Sequence, residues 1–403
     1  MKKRYNYSSN HNKNKKYNNI RVLYIITRLD GGGAQKSVLH SAQNLGRGVD
    51  VYLAASPGGP LYNKAQKILK KNLFTIKSFR HKLSINNLFH DLRATWQILK
   101  IILKVKPHII HTNCPKAGVL GRTAALFYPK AKVIHTFHGF GFSVIGGIKR
   151  YIFYSNIEKV MAWFSDKLIF VSKANMSEAQ SLGIGNAKKN ILIRAGAVFE
   201  DIKPGFDKEK KKESLGIQNF KHIVLGIGNF KPLKNPKDFV FIAKHVVKKL
   251  PDTCFLYAGT GGSEEHRTKT LARKFGLKKN LIFLGLRHDI RELLDISDLY
   301  ISTSLREGLP LALLEALGAG VPAICYEADG TSEVLKNNEN GFIFGQSKKE
   351  SMSAKIIEIF KNPAQLEALK KGTSKLDKYY FSADKTVRDQ TNLYKNILVK
   401  KIK

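Results

Sequence analysis

The sequence has few acidic residues, few cysteines and no long apolar run, and each shortage excludes a class of protein. Its 403 residues contain 31 Asp and Glu against 69 Lys and Arg, so the net charge is +38. The three cysteines, Cys114, Cys254 and Cys325, lie too far apart for a metal site or a disulfide scaffold, which favours a reducing compartment. No run of 18 apolar residues predicts a spanning helix, and residues 1–19 lack the apolar core of a signal peptide. We therefore expect a cytoplasmic protein.

The positive charge is unevenly distributed. Residues 1–200 contain 33 Lys and Arg against 7 Asp and Glu, whereas residues 201–403 contain 36 against 24. Such an excess favours a partner that carries negative charge, namely nucleic acid, an anionic membrane or a phosphorylated substrate. A Lys- and Asn-rich composition can also reflect genomic base bias, so the charge alone does not choose among these partners.

Apolar, β-branched runs alternate with segments of helical period along most of the chain. A strand at 20–27 is followed by a glycine turn that contains Gly32 and Gly33, and then by a helix at 34–45. The turn is either an ordinary βα turn or a place where backbone N–H groups approach a ligand. Further strands are predicted at 50–56, 108–113, 132–140, 165–172, from 191, and at 222–230, 253–262, 280–285, 299–304, 322–327 and 341–344. This alternation indicates an α/β fold with two Rossmann-like domains built on parallel sheets.

A stretch rich in Gly, Pro and charged residues at 199–216 marks the domain junction. It separates an N-terminal domain at 20–198 from a C-terminal domain at 217–381. The lysine-rich residues 1–19 predict a disordered basic tail, and residues 382–403 predict a helix.

The segment EGLPLALLEALGAGVP carries two carboxylates around a predicted helix start. Glu307 precedes Gly308 and Pro310 and so belongs to a loop, whereas Glu315 lies within a run of strong helix formers. Free N–H groups at the start of a helix suit a phosphate, and carboxylates accept hydrogen bonds from sugar hydroxyls. Together these groups describe a site for a nucleotide-sugar. The alternative is an amphipathic core helix with Glu315 facing water, but LALLEALGAG is apolar on nearly all sides, and a carboxylate buried there needs a partner.

The same segment resembles the donor-site signature of retaining glycosyltransferases of family 4, which have the two-domain GT-B fold. The resemblance covers about residues 20–345, and the stretches PKAGVLGRTAA and HTFHGFGF resemble a bacterial subgroup that builds cell-surface polysaccharides. It implies two Rossmann-like domains that face each other across a cleft. The first would bind the acceptor and the second the nucleotide-sugar donor, with the C-terminal helix returning to the first domain.

The resemblance also assigns the groups that would hold the donor diphosphate. Lys234 matches a family lysine, whereas Asn229 occupies the position of a family arginine, so Lys231 becomes the candidate for the second positive charge. A lysine is a sound partner for phosphate, although in a lysine-rich protein Lys234 is otherwise an ordinary solvated side chain. Gly308 and Leu309 would donate backbone N–H groups to the diphosphate.

Other positions would contact the sugar and the nucleoside. Glu307 would hold hydroxyls of the transferred sugar and Glu315 those of the ribose, while Gly261 belongs to a turn beneath the nucleotide and Arg287 lies near the base. His138 matches a family histidine that contacts a sugar hydroxyl, and a structural role for it is equally open. His135 is expected to be structural.

No nucleophile is evident for a double displacement, which needs a carboxylate facing the anomeric carbon. The family scheme is attack from the face of the leaving group, with the donor phosphate accepting the acceptor's proton. Catalysis by Glu307, His138 and Lys234 would then consist of charge stabilisation and positioning. We expect no metal or other cofactor, and family frequency favours UDP over GDP.

Two other functions remain open from the sequence. One is a sugar-nucleotide epimerase of GT-B type, which would release products without an acceptor. The other is a basic nucleic-acid-binding protein, although the chain lacks zinc-finger spacing and a recognisable RNA-binding signature.

The acceptor is expected to be a lipid-linked saccharide. Residues 61–106 contain 11 Lys and Arg and one acid, Asp91, and apolar residues alternate with the cations at Leu61, Ile68, Leu69, Phe74, Ile76 and Phe79. A basic surface studded with apolar residues suits an anionic bilayer, and the alternative is a solvated lysine-rich face. We expect a peripheral protein at the inner face of the cytoplasmic membrane.

Overall fold

The computed structural model describes residues 19–46, 48–79, 87–140 and 147–399, so most of the predicted basic tail lies outside it. Two parallel sheets organise these residues, which confirms the predicted α/β class. The strands of the first sheet are β1 Ile20–Ile26, β2 Val49–Ala55, β3 Leu73–Thr75, β4 Ile109–Asn113, β5 Lys132–Phe137, β6 Lys167–Phe170 and β7 Asn190–Leu192. Those of the second are β8 His222–Ile227, β9 Thr253–Ala258, β10 Leu281–Gly285, β11 Leu299–Ser302, β12 Ala323–Tyr326 and β13 Gly341–Phe344.

Both sheets have the strand order of a doubly wound domain. The first runs β3-β2-β1-β4-β5-β6-β7 and the second β10-β9-β8-β11-β12-β13. The order reverses where β1 pairs with both β2 and β4, and again where β8 pairs with both β9 and β11. Ligands of such sheets bind outside the carboxyl ends of the strands at this reversal.

Helices cover both faces of each sheet. In the first domain they are α1 Gly33–Asn44, α2 Tyr62–Leu69, α3 Leu88–Val105, α4 Pro115–Ala125, α5 Gly147–Trp163 and α6 Lys173–Ser181. After α7 Lys208–Ser214, which lies in the predicted junction, come α8 Pro236–Lys249, α9 Glu265–Lys274, α10 Ile290–Asp295, α11 Leu311–Gly318, α12 Thr331–Val334, α13 Lys349–Lys361, α14 Pro363–Thr373 and α15 Ala383–Val399. Because helices cover both faces, central strands such as β4 and β9 are buried at every residue.

The C-terminal helix α15 returns to the first domain and packs on α1. Its Tyr394 hydroxyl lies 2.8 Å from the Tyr24 hydroxyl of β1 and 2.6 Å from Nδ1 of His111 in β4. All three side chains are buried, so a polar network anchors the end of the chain to the first sheet. No helix among the described residues is long and apolar enough to cross a bilayer.

The predicted apolar-studded surface at 61–79 is wrong in one respect. The segment contains β3, which was not predicted, and Leu69, Ile76 and Phe79 point into the core with exposures of 9% or less. Its lysines are exposed, as at Lys67 and Lys71, so this face is basic and polar. The difference arises because Leu69 lies on the buried side of α2 and packs with residues of β1 and β2. Ile76 and Phe79 follow β3, which pairs with β2, and they pack with buried residues of α3.

Exposed apolar residues occur instead on α3 and α5. Leu88, Leu92, Trp96 and Leu103, which share one face of α3, are between 49% and 63% exposed. On α5 and just after it the exposed apolar residues are Ile148, Ile152, Phe153, Val160, Trp163 and Phe164. Both helices pack on α4, so they lie on the same side of the first sheet.

Candidate active site in the cleft between the domains

The two domains meet where β5 ends and the loop after β11 begins. A Cβ atom on Gly308 would lie 2.4 Å from the carbonyl oxygen of His138 and 2.7 Å from a methyl group of Val171. Any side chain at position 308 would therefore push the domains apart. The sequence motif that carries the two glutamates is thus held directly against the first domain.

Lys234 and Glu307 form an ion pair at the centre of this region. Lys234 is the last residue of a short 3₁₀ turn at Pro232–Lys234. The backbone carbonyl oxygen of Lys234 accepts a hydrogen bond of 3.1 Å from the Thr303 hydroxyl. Glu307 is 16% exposed and Lys234 28% exposed. Sequence reasoning assigned these residues to different parts of the donor, and the structure brings them together. A site with both charges side by side suits a phosphate next to a sugar.

Asn229 and Lys231 differ in where their side chains point. Asn229 Oδ1 accepts a hydrogen bond of 3.3 Å from the backbone N–H of Lys231, so its side chain stabilises its own turn. Lys231 is exposed and lies near Cys114 of the first domain. Burial raises the pKa of the Cys114 thiol to about 12, and the Lys231 ammonium opposes this rise. Lys231 therefore presents its charge to the cleft, whereas Asn229 supplies none.

The turn that contains Gly261 packs beneath this segment. Gly261 and Gly262 have φ values of +76° and +130°, which favour glycine. A Cβ atom on Gly262 would lie 2.3 Å from the carbonyl carbon of Phe230, and the Gly261 carbonyl accepts a hydrogen bond of 2.7 Å from the Phe230 N–H. These contacts hold the loop that carries Lys231 and Lys234 against the glycine turn.

Helix α11 begins at Leu311, with Pro310 in an extended conformation at the N-cap, one position before the predicted first turn. Its first N–H groups have no acceptor within the helix and face the cleft beside Gly308 and Leu309. Glu315 lies on the second turn, with its side chain 20% exposed.

The partner that Glu315 requires comes from the first domain. Lys36 Nζ of α1 lies 4.0 Å from a Glu315 carboxylate oxygen. Burial raises the pKa of the Glu315 carboxyl, and the Lys36 ammonium opposes this rise. Sequence analysis did not predict this contact, although Lys36 follows the glycine turn by three positions.

The glycine turn itself faces the second domain. Gly32 is the N-cap of α1 and has an extended backbone. A Cβ atom on Gly33 would lie 3.3 Å from Leu311, and one on Gly31 would lie 3.9 Å from Leu286. The turn therefore lies opposite α11. Both predicted roles for it, a structural turn and a ligand-facing turn, stay predictions.

Arg287 lines an open pocket of about 360 Å³ together with Lys203, Leu286, His288 and Asp289. Its guanidinium donates to both carboxylate oxygens of Asp289, at 2.8 and 2.5 Å. The side chain of Arg287 is therefore held by its neighbour and shapes the wall of the pocket. Contact of this loop's backbone with a base stays a prediction of the sequence.

His138 lies just beyond the end of β5, half-buried, with Nε2 3.0 Å from Oδ1 of Asn113. The Asn113 amide nitrogen donates to the carbonyl of His111, so its oxygen accepts from His138. Among the described residues, Nδ1 of His138 has no hydrogen-bond partner, which leaves it available as an acceptor. Burial lowers the pKa of His138 to about 4, which keeps the imidazole neutral. His135 is buried and contacts the Thr112 hydroxyl at 2.8 Å, which fits a structural role.

Comparison with known proteins names the family. Residues 31–192 match the model described as Glycosyltransferase Family 4, and residues 207–376 match the one described as Glycosyl transferases group 1. The chain belongs to glycosyltransferase family 4. The two matches fall on the two domains of the structure, so the family signature spans both sides of the cleft.

Relatives of this family 4 enzyme include bacterial proteins of polysaccharide and lipid-linked sugar biosynthesis. The chain is 28% identical over 313 residues to the UDP-Gal:alpha-D-GlcNAc-diphosphoundecaprenol alpha-1,3-galactosyltransferase of Escherichia coli. The aligned region covers 77% of this chain and 80% of the relative. It is 26% identical over 282 residues to the N,N'-diacetylbacillosaminyl-diphospho-undecaprenol alpha-1,3-N-acetylgalactosaminyltransferase of Campylobacter jejuni, with coverages of 67% and 72%.

Solved structures confirm the GT-B fold. Anabaena HepE in complex with UDP and glucose superposes with a TM-score of 0.78 at 18% identity, covering 94% of this chain and 100% of that one. Sucrose-phosphate synthase from Thermosynechococcus elongatus gives a TM-score of 0.81 at 18% identity, again covering 94% and 100%.

Proposed function

We propose that this glycosyltransferase is a retaining enzyme that transfers a sugar from a UDP-sugar to a lipid-linked saccharide during cell-surface polysaccharide biosynthesis. The observation that carries the proposal is the Lys234–Glu307 pair beside the N-terminus of α11, with His138 across the cleft. Two relatives whose names specify diphosphoundecaprenol-linked acceptors support the acceptor class, and one of these names also specifies a UDP-sugar.

The donor diphosphate would lie between positive groups of the second domain. Lys234 and Lys231 supply two ammonium groups, and Gly308 and Leu309 supply backbone N–H groups at the positive end of the α11 dipole. As the glycosidic bond breaks, negative charge grows on the departing phosphate, and groups already held in place stabilise it. With this much fixed positive charge, we propose that the reaction needs no metal ion.

The transferred sugar would lie between Glu307 and His138. Because His138 is neutral, Nδ1 can accept a hydrogen bond from a sugar hydroxyl. The carboxylate of Glu307 is paired with Lys234, so it holds hydroxyls better than it attacks the anomeric carbon. We therefore propose front-face attack, in which the acceptor oxygen bonds to the anomeric carbon, the bond to the phosphate breaks, and the phosphate takes the acceptor's proton.

Turnover with UDP-, GDP- and ADP-sugars tests the donor, with and without a diphosphopolyisoprenoid-linked saccharide in detergent. We expect consumption of a UDP-sugar that increases when the acceptor is present. Consumption of the donor with no acceptor and no glycoside would favour an epimerase. The product from an α-linked donor should be an α-glycoside by its NMR coupling constant, and a β-glycoside would contradict retention. Loss of activity in EDTA would contradict metal independence.

We also propose that the exposed face of α3 and α5 contacts an anionic membrane. In a parallel βαβ unit each helix starts at the carboxyl edge of the sheet, so Leu88, Phe89 and Ile152 lie near the mouth of the cleft. Exposed cations accompany them on the same helices at Arg93, Lys100, Lys149 and Arg150. Apolar side chains among cations match the interface of an anionic bilayer, where a lipid-linked acceptor would be found.

Sedimentation with vesicles tests this surface. Binding should require phosphatidylglycerol, weaken with salt and fall in the double variant Arg93→Gln/Lys100→Gln. The matched control is Lys64→Gln/Lys67→Gln, which removes the same charge from α2 on the other side of the sheet. Equal loss in both variants would show a non-specific charge effect. Equal binding to neutral and anionic vesicles, or no binding to either kind, would contradict the proposed contact with an anionic membrane.

A further inference from the structure

We propose that Arg306 and Asp329 position Glu307, and that Glu178 of the first domain makes this positioning depend on closure of the cleft. The inference rests on the proposed function, in which Glu307 contacts the transferred sugar. It concerns how that carboxylate is held rather than what it binds.

Asp329 holds the backbone of Glu307. Its Oδ2 accepts a hydrogen bond of 2.8 Å from the Glu307 N–H and one of 3.1 Å from Nε of Arg306. Asp329 itself has a φ of +44°, which is unfavourable for a residue with a side chain. Asp adopts this left-handed conformation more readily than most residues with a side chain, and here the turn that it forms brings the carboxylate to the Glu307 N–H.

The residue after Asp329 completes the contact. A Cβ atom on Gly330 would lie 2.6 Å from the carbonyl oxygen of Gly308 and 3.0 Å from Cβ of Ser172 in the first domain. The loop of Glu307 is therefore enclosed between this turn and the first domain. Its conformation depends on both.

Arg306 extends the contact across the cleft. While its Nε faces Asp329, its Nη2 donates to Oε2 of Glu178 on α6 at 2.5 Å. The side chains of Arg306 and Glu178 are 17% and 19% exposed, so the pair is largely shielded from water. A planar guanidinium that bridges two carboxylates fixes both, and this one joins the two domains.

Opening of the cleft would separate Glu178 from Arg306. Of its two carboxylate partners among the described residues, the guanidinium would then keep Asp329, and the acceptor of the Glu307 N–H would be held less firmly. Closed domains thus hold Glu307 ready for the sugar, whereas open domains release it. Such coupling reserves the catalytic geometry for the state that excludes water.

The chain offers a matched control in a second ion pair across the cleft. Arg194 Nη2 lies 2.7 Å from Oε2 of Glu333, with side chains 12% and 11% exposed. Glu333 also accepts the N–H of Lys173 at the start of α6. This pair joins the same domains with similar burial but has no hydrogen bond to Glu307, Arg306 or Asp329.

The experiment compares Glu178→Gln, Arg306→Gln and Asp329→Asn with the control Glu333→Gln. The measured quantities are kcat and KM for transfer, Kd for UDP by calorimetry, and Tm. We expect kcat to fall at least tenfold in the three variants while Kd for UDP changes less than twofold. The double variant Glu178→Gln/Arg306→Gln should be no slower than Arg306→Gln alone. Each single substitution already breaks the same contact between Arg306 and Glu178, so the second one removes nothing more. Glu333→Gln should retain kcat within about threefold, because this pair shares no partner with Glu307; the loss of a shielded pair should show in Tm instead.

Three outcomes would overturn the inference. An equal fall of kcat in Glu333→Gln would show that any loss of closure is enough. An equal rise of Kd for UDP would show a collapsed donor site. Unchanged kcat in Glu178→Gln would remove the link to the first domain, and this substitution keeps the test decisive if Asp329→Asn does not fold. If the unmodified protein transfers no sugar from any nucleotide-sugar, the proposed function fails; if it is active and the variants match it, only this inference fails.

Discussion

The two sides of the cleft are constructed differently. The second domain contributes its groups from two short stretches, the turn at 229–234 and the segment from Glu307 to Glu315. The first domain contributes single residues from separate elements, namely Lys36 on α1, His138 after β5 and Glu178 on α6. A contiguous stretch is visible in a sequence, whereas isolated residues that meet only after folding are not.

The comparison makes different predictions for the two sides. In the second domain, substitutions at Lys234 and Glu315 should weaken binding of the donor, whereas those at Glu307 and at the residues that position it should mainly affect transfer. Substitutions in the first domain should leave nucleotide binding nearly intact and should affect transfer.

The largest expected effect is that of Lys234→Ala. It removes a charge from a largely desolvated site and leaves Glu307 without its partner. We expect a loss of about 1.5–3 kcal/mol in donor binding or turnover, which is at least tenfold. Kinetics and calorimetry with the UDP-sugar measure it. Glu307→Ala should depress transfer more than UDP binding, and the reverse order would exchange the roles assigned to the two residues.

Glu315→Ala should weaken nucleotide binding by about 1–3 kcal/mol, because it removes the acceptor for the ribose hydroxyls. Its cross-cleft partner gives the contrast. Lys36 is 49% exposed and 4.0 Å away, so Lys36→Ala should change Kd for UDP by less than about threefold. Calorimetry on the pair compares the two sides directly. Unchanged binding in Glu315→Ala would show that the ribose lies elsewhere.

A difference in stability between the two sheets should appear at acidic pH. The first sheet contains His111 and His135, and His138 directly follows its strand β5; burial lowers the pKa values of all three below the usual range. The folded state therefore binds fewer protons than the unfolded state, so stability is lost as the pH falls below about 6.5. Each histidine costs about 1.4 kcal/mol per pH unit until its folded pKa is reached.

Hydrogen exchange at pH 7.0 and 5.5, read separately for the two sheets, measures this difference. Protection should fall in β4 and β5 before β9 and β12. The substitution His266→Gln is the control, since that side chain is exposed. Equal loss of protection in both sheets would show that these histidines do not set the acid limit.

The extent of what the sequence predicts follows the same division. The strand expected at 20–27 is β1. In the donor signature at 307–315, the loop, the helix and the two carboxylates occur where the sequence predicted them. By contrast β3 has three residues, too few for a periodic pattern, and the apolar stripe of α3 faces outward because Ala94, Ile98 and Ile102 form a second, inward stripe. A periodic pattern in the sequence shows that a helix has an apolar face, but it does not show whether that face packs on the sheet or is exposed.

Asp329 shows the limit most clearly. Its sequence context, ADGTSE, reads as an ordinary turn, and only the fold places its carboxylate on the Glu307 N–H, 22 residues away. Arg306 offered a weak signal because it precedes Glu307 directly. Its partner Glu178 lies 128 residues earlier on another domain, and no local pattern connects the two.

The smallest expected effect concerns Asn113, which orients His138 from the first domain. Asn113→Asp places a carboxylate at the atom that accepts from His138 Nε2, 3.0 Å away, so the pKa of His138 should rise. Protonation would occupy Nδ1, the atom that accepts the sugar hydroxyl. We expect kcat a few-fold below that of the unmodified enzyme at pH 6 and close to it at pH 8.5, with Kd for UDP unchanged. Asn113→Ala should instead lower kcat equally at both pH values, because it loosens the ring without changing its charge. A pH profile of Asn113→Asp that parallels the unmodified enzyme would mean that His138 does not accept a hydrogen bond through Nδ1, and the histidine would then be structural.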